Sequence, residues 1–317
     1  AKVAPAPAEA DVDNLIEDPD ADIATMDGAE KEVSGDAATI DGNSYGTLDD
    51  ALKDAKAGNE VVLKKDHTGN IKIAEWIKLN LNGKKIEGNV DVDLSGKKDD
   101  TATSQDGETA VEKKVEITGG TITGATESGV TIKDAGDTNV LLKDLTIEKN
   151  EGKQGGGVHI ENSQNVTIDH CTIQNNKTTE VSPNTNASVD IGAGGGVFVS
   201  DKSHVTIQNG STIQGNTGTR GGGIYTEHST VEVKDSKIDG NTADDAPEKA
   251  PNSNKGLGGG IYSYESTLTV TDSTISGNEA KGSTSLIRYN SKDEISSESL
   301  GNGGGGICAI GKKSDVT

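Results

Sequence analysis

Five short glycine runs in the chain are each followed by an aliphatic residue, and the next residue on is the one best placed to do chemistry. The runs are Gly155 to Gly157, Gly194 to Gly196, Gly221 to Gly223, Gly258 to Gly260 and Gly303 to Gly306, and the residues in question are His159, Phe198, Tyr225, Tyr262 and Cys308. Tyr264 adds a ring one alternation further on. Alternation marks strands, so these side chains are expected to point outward as a surface column. The chain holds one Trp, five Tyr and one Phe, and Phe198, Tyr225, Tyr262 and Tyr264 draw on that small supply, which makes their concentration the sharpest functional clue. Exposed rings stack on sugar faces, and bare glycine beside them lets a ligand approach the backbone. The two arginines fall nearby: Arg220 directly precedes a glycine run and Arg288 stands beside Tyr289. A guanidinium there would pair with the carboxylate of a uronic or sialic acid. The expected ligand-binding set is therefore Phe198, Tyr225, Tyr262, Tyr264, Arg220 and Arg288. The competing expectation is that the rings stack on one another beneath inserted loops as a satellite cluster.

Catalytic and metal-binding patterns are weaker. A polysaccharide lyase needs a Lys or Arg base together with a metal or groups that neutralise the uronate, and a glycoside hydrolase needs converging carboxylates. Asp235 and Asp272 occupy equivalent positions, with Asp144 in register in an earlier coil. That recurrence points to turn chemistry more than catalysis. His159, His170, His204 and His228 carry no ligand motif and read as surface residues rather than zinc ligands. No cofactor is expected; the carboxylates leave calcium open, although no Asp-x-Asp-x-Asp-Gly loop occurs.

Composition sets the frame for these residues. The 317 residues are 30% hydrophobic and 2% aromatic, too little for a wide globular core, so a thin repetitive core is the alternative. Forty-two glycines with abundant Thr, Asn, Asp and Ser suit short strands and turns. A formal net charge of −22 excludes nucleic acid as a partner and disfavours anionic membranes. A surface so acidic, with a pI near 4.5, is expected to change character in acid, where protonation would reduce repulsion toward anionic ligands or release a loop. Cys171 and Cys308 are expected several coils apart, beyond disulfide reach. No signal peptide, transmembrane run or anchor is visible, and the chain reads as an excised piece of a longer one.

A repeat organises the whole. An apolar residue, another two positions on and an Ile about seven positions after the first recur seven times, from Leu79, Leu81, Ile86 through Val166, Ile168, Ile173 to Leu268, Val270, Ile275. Three residues after the Ile comes Asn in six copies, at Asn89, Asn150, Asn176, Asn216, Asn241 and Asn278, with Ala125 in the exception. Stacked coils would place these amides roughly 4.8 Å apart as a hydrogen-bonded ladder; each Asn serving only its own turn is the alternative. From the aliphatic after a glycine run to the next ladder Asn the spacing stays at 17 to 19 residues, whereas the return to the next glycine run varies from 4 to about two dozen. One coil thus needs about 25 residues, and the surplus at 177–193, 242–257 and 279–302 is loop inserted at one corner. The fold predicted is all-β, a right-handed parallel β-helix (β-solenoid) over residues 39–317 with a short N-terminal capping helix. Thr47 caps that helix, Leu48, Ala51, Leu52 and Ala55 form its apolar face, and Gly58 lies near its end. Residues 1–38 read as an acidic linker or N-terminal arm.

The paired Gly-Gly-Gly-Ile and Ile-x-x-Asn elements resemble the repeats of polymorphic outer-membrane-type proteins and related bacterial β-helix adhesins, with Ile173, Ile213, Ile238 and Ile275 where those repeats usually have Phe. Residues 47–66, followed by Leu79-Asn80-Leu81-Asn82-Gly83-Lys84-Lys85-Ile86, look like the capped first coils of pectate-lyase-like surface proteins. In size, acidity and domain type the chain is also similar to the binding regions of serine-rich-repeat adhesins of lactic acid bacteria. The resemblance implies an extracellular module on a bacterial cell surface, attached to the wall through other segments. It implies adhesion to polysaccharide or glycoprotein glycans, mucin-type or acidic such as pectin. A monomeric module of a larger chain, with no membrane insertion of its own, is the expected form. The same fold hosts polysaccharide lyases and hydrolases, and a passive stalk is a third reading, in which the rings should be buried under loops.

Overall fold

A computed structural model describes residues 35–97, 112–179, 192–244, 256–281, 304–311 and 315–316. Most of the predicted arm at 1–38 and most of each inserted loop lie outside the described residues. The unit Gly35–Thr317 is a parallel β-solenoid. Its one α-helix among the described residues, α1 (Leu48–Asp54), is capped as predicted: the Thr47 hydroxyl accepts from the Asp50 amide at 3.1 Å. Leu48 and Ala51 are fully buried, and Leu52 and Ala57 pack against the core. Beside the helix, Ala38–Ile40 pairs antiparallel with Asn43–Tyr45 and with Glu60–Leu63. Every strand pairing after that is parallel among the described residues.

Each coil presents three apolar columns inward. On the face that follows the glycine runs the register is Val130, Val158, Val197, Ile224, Ile261, Ile307. On the second face it is Val115, Val140, Val166, Val205, Val231, Leu268. On the third it is Ile86, Ile122, Ile147, Ile173, Ile213, Ile238, Ile275. Short strands bury little alone, and stacking turns these columns into one narrow core, which reconciles the fold with so few apolar residues. The first copy departs from the predicted register: Leu79 pairs with Ile117, not Val115. The two extra residues before Ile86 are absorbed in a turn at Asn82 and Gly83, both at positive φ.

The asparagine ladder is continuous over five coils. Asn150, Asn176, Asn216 and Asn241 each donate from Nδ2 to the next Asn Oδ1 at 2.9 to 3.0 Å, and each backbone N–H donates to the same oxygen. Each Nδ2 also donates to a carbonyl of the preceding coil, as Asn216 does to Ile173 at 3.0 Å. Ala125 breaks the ladder, its amide donating to Asn150 Oδ1. Beyond the break Asn89 bonds Ser128 and Thr131 instead. A serine ladder, absent from the expectations above, runs in parallel at another turn: the amides of Ser163, Ser203 and Ser229 donate to the hydroxyls of Ser203, Ser229 and Ser266 at 3.1 to 3.2 Å.

The glycine runs are explained by contact between coils. A Cβ on Gly222 would stand 2.4 Å from Thr242 backbone and 2.6 Å from the Gly259 carbonyl. The bare backbone faces the neighbouring coil's backbone and is buried, so the expectation that it admits a ligand is corrected. The three predicted insertions each leave after the small five-stranded sheet and return at a glycine run; a further insertion, between Asp93 and Lys114, joins the first face to the second, which corrects the expectation of a single insertion corner. Thr179, Asp244 and Lys281 donate to Gly152, Gly218 and Ala243 on the outgoing side, and Gly192 and Gly256 donate to Lys153 and Thr219 on the return.

Candidate functional site

The residues singled out after the glycine runs do form one column. His159, Phe198, Tyr225, Tyr262 and Cys308 are consecutive partners on parallel strands. Phe198 and Tyr225 stack with ring centroids 5.1 Å apart and planes 1° apart, Tyr225 and Tyr262 at 5.3 Å and 5°. His159 meets Phe198 edge-on at 5.0 Å.

The column points out from the solenoid core but is not exposed. Tyr225 is 0% exposed, Phe198 2% and Tyr262 4%, and with Ala193 and Cys308 they make a second apolar cluster against which Leu257, Tyr264 and Ile310 pack. The expected surface column is thereby corrected to a satellite cluster. The physical reason is that these strands are buried on both faces. Along the inner side of the same strands the residues shrink and turn polar, Val199, Thr226, Ser263, Ala309, as the outer side gains rings. Val197-Phe198-Val199 is apolar at every position, and Tyr225 and Tyr262 directly follow Ile224 and Ile261. That unbroken apolar run was the signal in the sequence.

Arg220 sits at the insertion corner, bridged between Ala193 and Leu257, with its guanidinium carbon 5.8 Å from the Tyr262 ring centre. Tyr264 is half-buried, with His228 edge-on at 5.6 Å. The Tyr225 hydroxyl donates to Glu227 at 2.9 Å. The structure thus brings Phe198, Tyr225, Tyr262, Tyr264 and Arg220 together; Arg288 lies outside the described residues. Both cysteines are free and buried, and burial pushes the Cys308 thiol up to about 11 and the Cys171 thiol up to about 12.

The column continues where the glycine runs gave no guide. Below His159 come Thr131, Asp91 and Lys72, flanked by Glu161, Lys133 and Asp93. Lys72 bonds Asp93 at 2.7 Å and, with Ser95, holds its carboxyl down at about 2. Asp91 moves the other way, raised first by burial and then by Asp93. His159 corrects the expectation of a surface histidine. It is 8% exposed, its Nε2 has no hydrogen-bond partner and stands 3.6 Å from Glu161, and burial keeps its pKa below the ordinary range. Glu161 is held at about 2, by His159 first and then by Lys133, 3.2 Å away.

The carboxylate row is turn chemistry. Asp144, Asp235 and Asp272 all take positive φ of 44° to 53°, in one column with His170 and Asn209 in the same conformation. His170, His204 and His228 are exposed and face Asp144, Glu232 and Glu265 at 2.7, 3.5 and 3.1 Å. Among the described residues no group of three or more His, Cys, Asp or Glu is placed to hold a metal, and no helix is long and apolar enough to cross a membrane.

Stacked parallel coils, an internal asparagine ladder and corner insertions define the class: a β-solenoid whose outer surface carries whatever binding it does. Residues 101–317 match the family described as right-handed β-helix region, and the chain belongs to that family. No curated protein and no solved structure matches it.

Proposed function

We propose that the chain is the binding region of an extracellular bacterial adhesin, recognising polysaccharide or glycoprotein glycans at the insertion corner without cleaving them. The observation that carries the reading is the clustering of length variation. The solenoid keeps its register coil after coil, while three of its four long insertions open and close at one corner beside Arg220 and the stacked rings; the fourth, between Asp93 and Lys114, enters at another corner. In repeat folds such insertions map to loops on one face, often the binding face, and rigid scaffolds commonly carry recognition on loops. On this reading Arg220 and Arg288 supply charge for an acidic sugar. The reading calls for no cofactor.

Two other readings each have an observation in their favour. Buried rings suit a passive stalk. Asp91, its pKa raised, beside Asp93, Lys72 and Lys133, has the mixed charges a lyase or hydrolase would use. A polysaccharide and glycan binding screen at pH 7 and pH 4.5, with product analysis, separates the three. Retention without breakdown, lost in Arg220→Ala or Arg288→Ala at unchanged stability, is expected. No retention of any glycan would leave the stalk, and breakdown abolished by Asp91→Asn would make the protein an enzyme.

A further inference from the structure

A second polar feature lies on a different face, away from the rings and the corner at Arg220, with Glu112, from the end of the insertion between Asp93 and Lys114, in its lining. A groove of about 320 Å³ crosses four successive coils on the outside of the second face. One wall is the register column Lys114, Asn139, Asn165, followed by His204; the floor is Leu141, Thr167 and Thr206. Leu141 is half-buried and points outward between Glu116 and Thr167, an aliphatic where polar residues otherwise alternate.

The hydrogen-bonding capacity of this groove is largely uncommitted. Among the described residues the side-chain amide of Asn139 and the Thr167 and Thr206 hydroxyls make no hydrogen bond, and Asn165 spends only Nδ2, on the Asp137 carbonyl at 2.9 Å. The cations, by contrast, already face carboxylates, and Glu112 adds another carboxylate to the lining. Lys114 is paired with Glu116 at 2.5 Å, and His204 faces Glu232 at 3.5 Å. An anionic sugar would meet no unpaired cation there and would face carboxylates. Coils repeat at roughly 4.8 Å, close to the length of one sugar ring, so successive amides and hydroxyls can meet successive residues of a linear chain. Leu141 offers the apolar contact that the C–H face of a sugar ring needs.

We infer that this groove is a binding subsite for a neutral oligosaccharide, distinct from the insertion corner. It recognises hydroxyl and amide groups through Asn139, Asn165 and Thr167, with one ring seated on Leu141. The inference stands independently of the reading above, because neither arginine lines the groove.

Calorimetric titration of the full chain with hexasaccharides of glucose, of N-acetylglucosamine and of galacturonate tests it. Binding of a neutral hexasaccharide is expected, weakened about tenfold or more by Leu141→Glu and several-fold by Asn139→Ala. Urea midpoints measured alongside confirm that each variant folds. Neutral binding unaffected by both groove variants would overturn the inference, as would no neutral binding at millimolar concentration, or galacturonate binding that the groove variants abolish.

Discussion

The asparagine ladder and the aromatic column run along the same solenoid, one residue per coil, and both are buried, yet they differ in what they tolerate. The ladder repeats one side chain because each amide must both donate to and accept from its neighbours; even Ala125 is accommodated only by handing its amide to Asn150. The ring column changes from His159 to Phe198 to Tyr225 and Tyr262 and then Cys308, because apolar stacking asks for area rather than a fixed pair of partners. Identity conserved from coil to coil therefore marks what holds the fold, and variation at fixed register marks where the surface has been diversified.

The largest effect should come from the backbone contacts that both columns depend on. Gly222→Ala forces a Cβ against main chain of two neighbouring coils, which no rotamer can relieve. It is expected to abolish folding of the central coils, read as loss of the cooperative urea transition. Next is Asn216→Ala, which leaves the Asn176 backbone N–H without its partner and removes three further bonds, from Asn176 Nδ2 and from Asn216 Nδ2 to the Ile173 carbonyl and to Asn241. At about 1 to 3 kcal/mol for the orphaned N–H and about 1 kcal/mol for each other bond lost, a loss of about 4 kcal/mol or more is expected from the urea midpoint. Asn216→Asp should recover only part of it, because a carboxylate cannot donate along the ladder.

Tyr225→Ala sharpens the comparison from the other side. Emptying a fully buried ring position should cost about 3 to 5 kcal/mol, whereas Tyr225→Phe, which keeps the stack and loses the bond to Glu227, should cost about 1 kcal/mol. If Tyr225→Ala left the midpoint unchanged, the column would not be part of the packed structure.

The smallest effect is a pH dependence centred on His159 and its neighbours. The His159 pKa is depressed in the folded chain, so the unfolded chain takes up its proton first as pH falls below about 6.5, and stability should decline there. Asp93 and Glu161, held at about 2, contribute stability above the unfolded carboxylate range that is lost as pH falls from about 4 toward 2. His159→Phe should flatten the decline between pH 7 and 5 and leave the acid limb in place, as followed by thermal unfolding across pH.

Much of this was legible in the sequence. The Ile-to-Asn spacing predicted the ladder, Thr47 predicted the helix cap, and counting from the glycine runs placed His159 through Cys308 in their true register. What failed was side-chain exposure. Alternation was read as one face in and one face out, although Val197-Phe198-Val199 already showed a strand apolar on both sides. The slip at Leu79 escaped because a two-residue turn leaves the hydrophobic pattern unchanged. Asp91 and Lys72 joined the column unseen because no glycine run precedes them, and the serine ladder because serine is common in turns for local reasons as well.

The central claim is that the solenoid carries the fold and the insertion corner carries recognition. Two coils of this chain already close with four residues, Glu151 to Gln154 and Thr217 to Arg220. Replacing residues 279–303 with such a corner and measuring glycan binding beside the urea midpoint tests the claim directly. The expected result is an unchanged solenoid transition with binding reduced at least about tenfold; full binding by the shortened chain would contradict it.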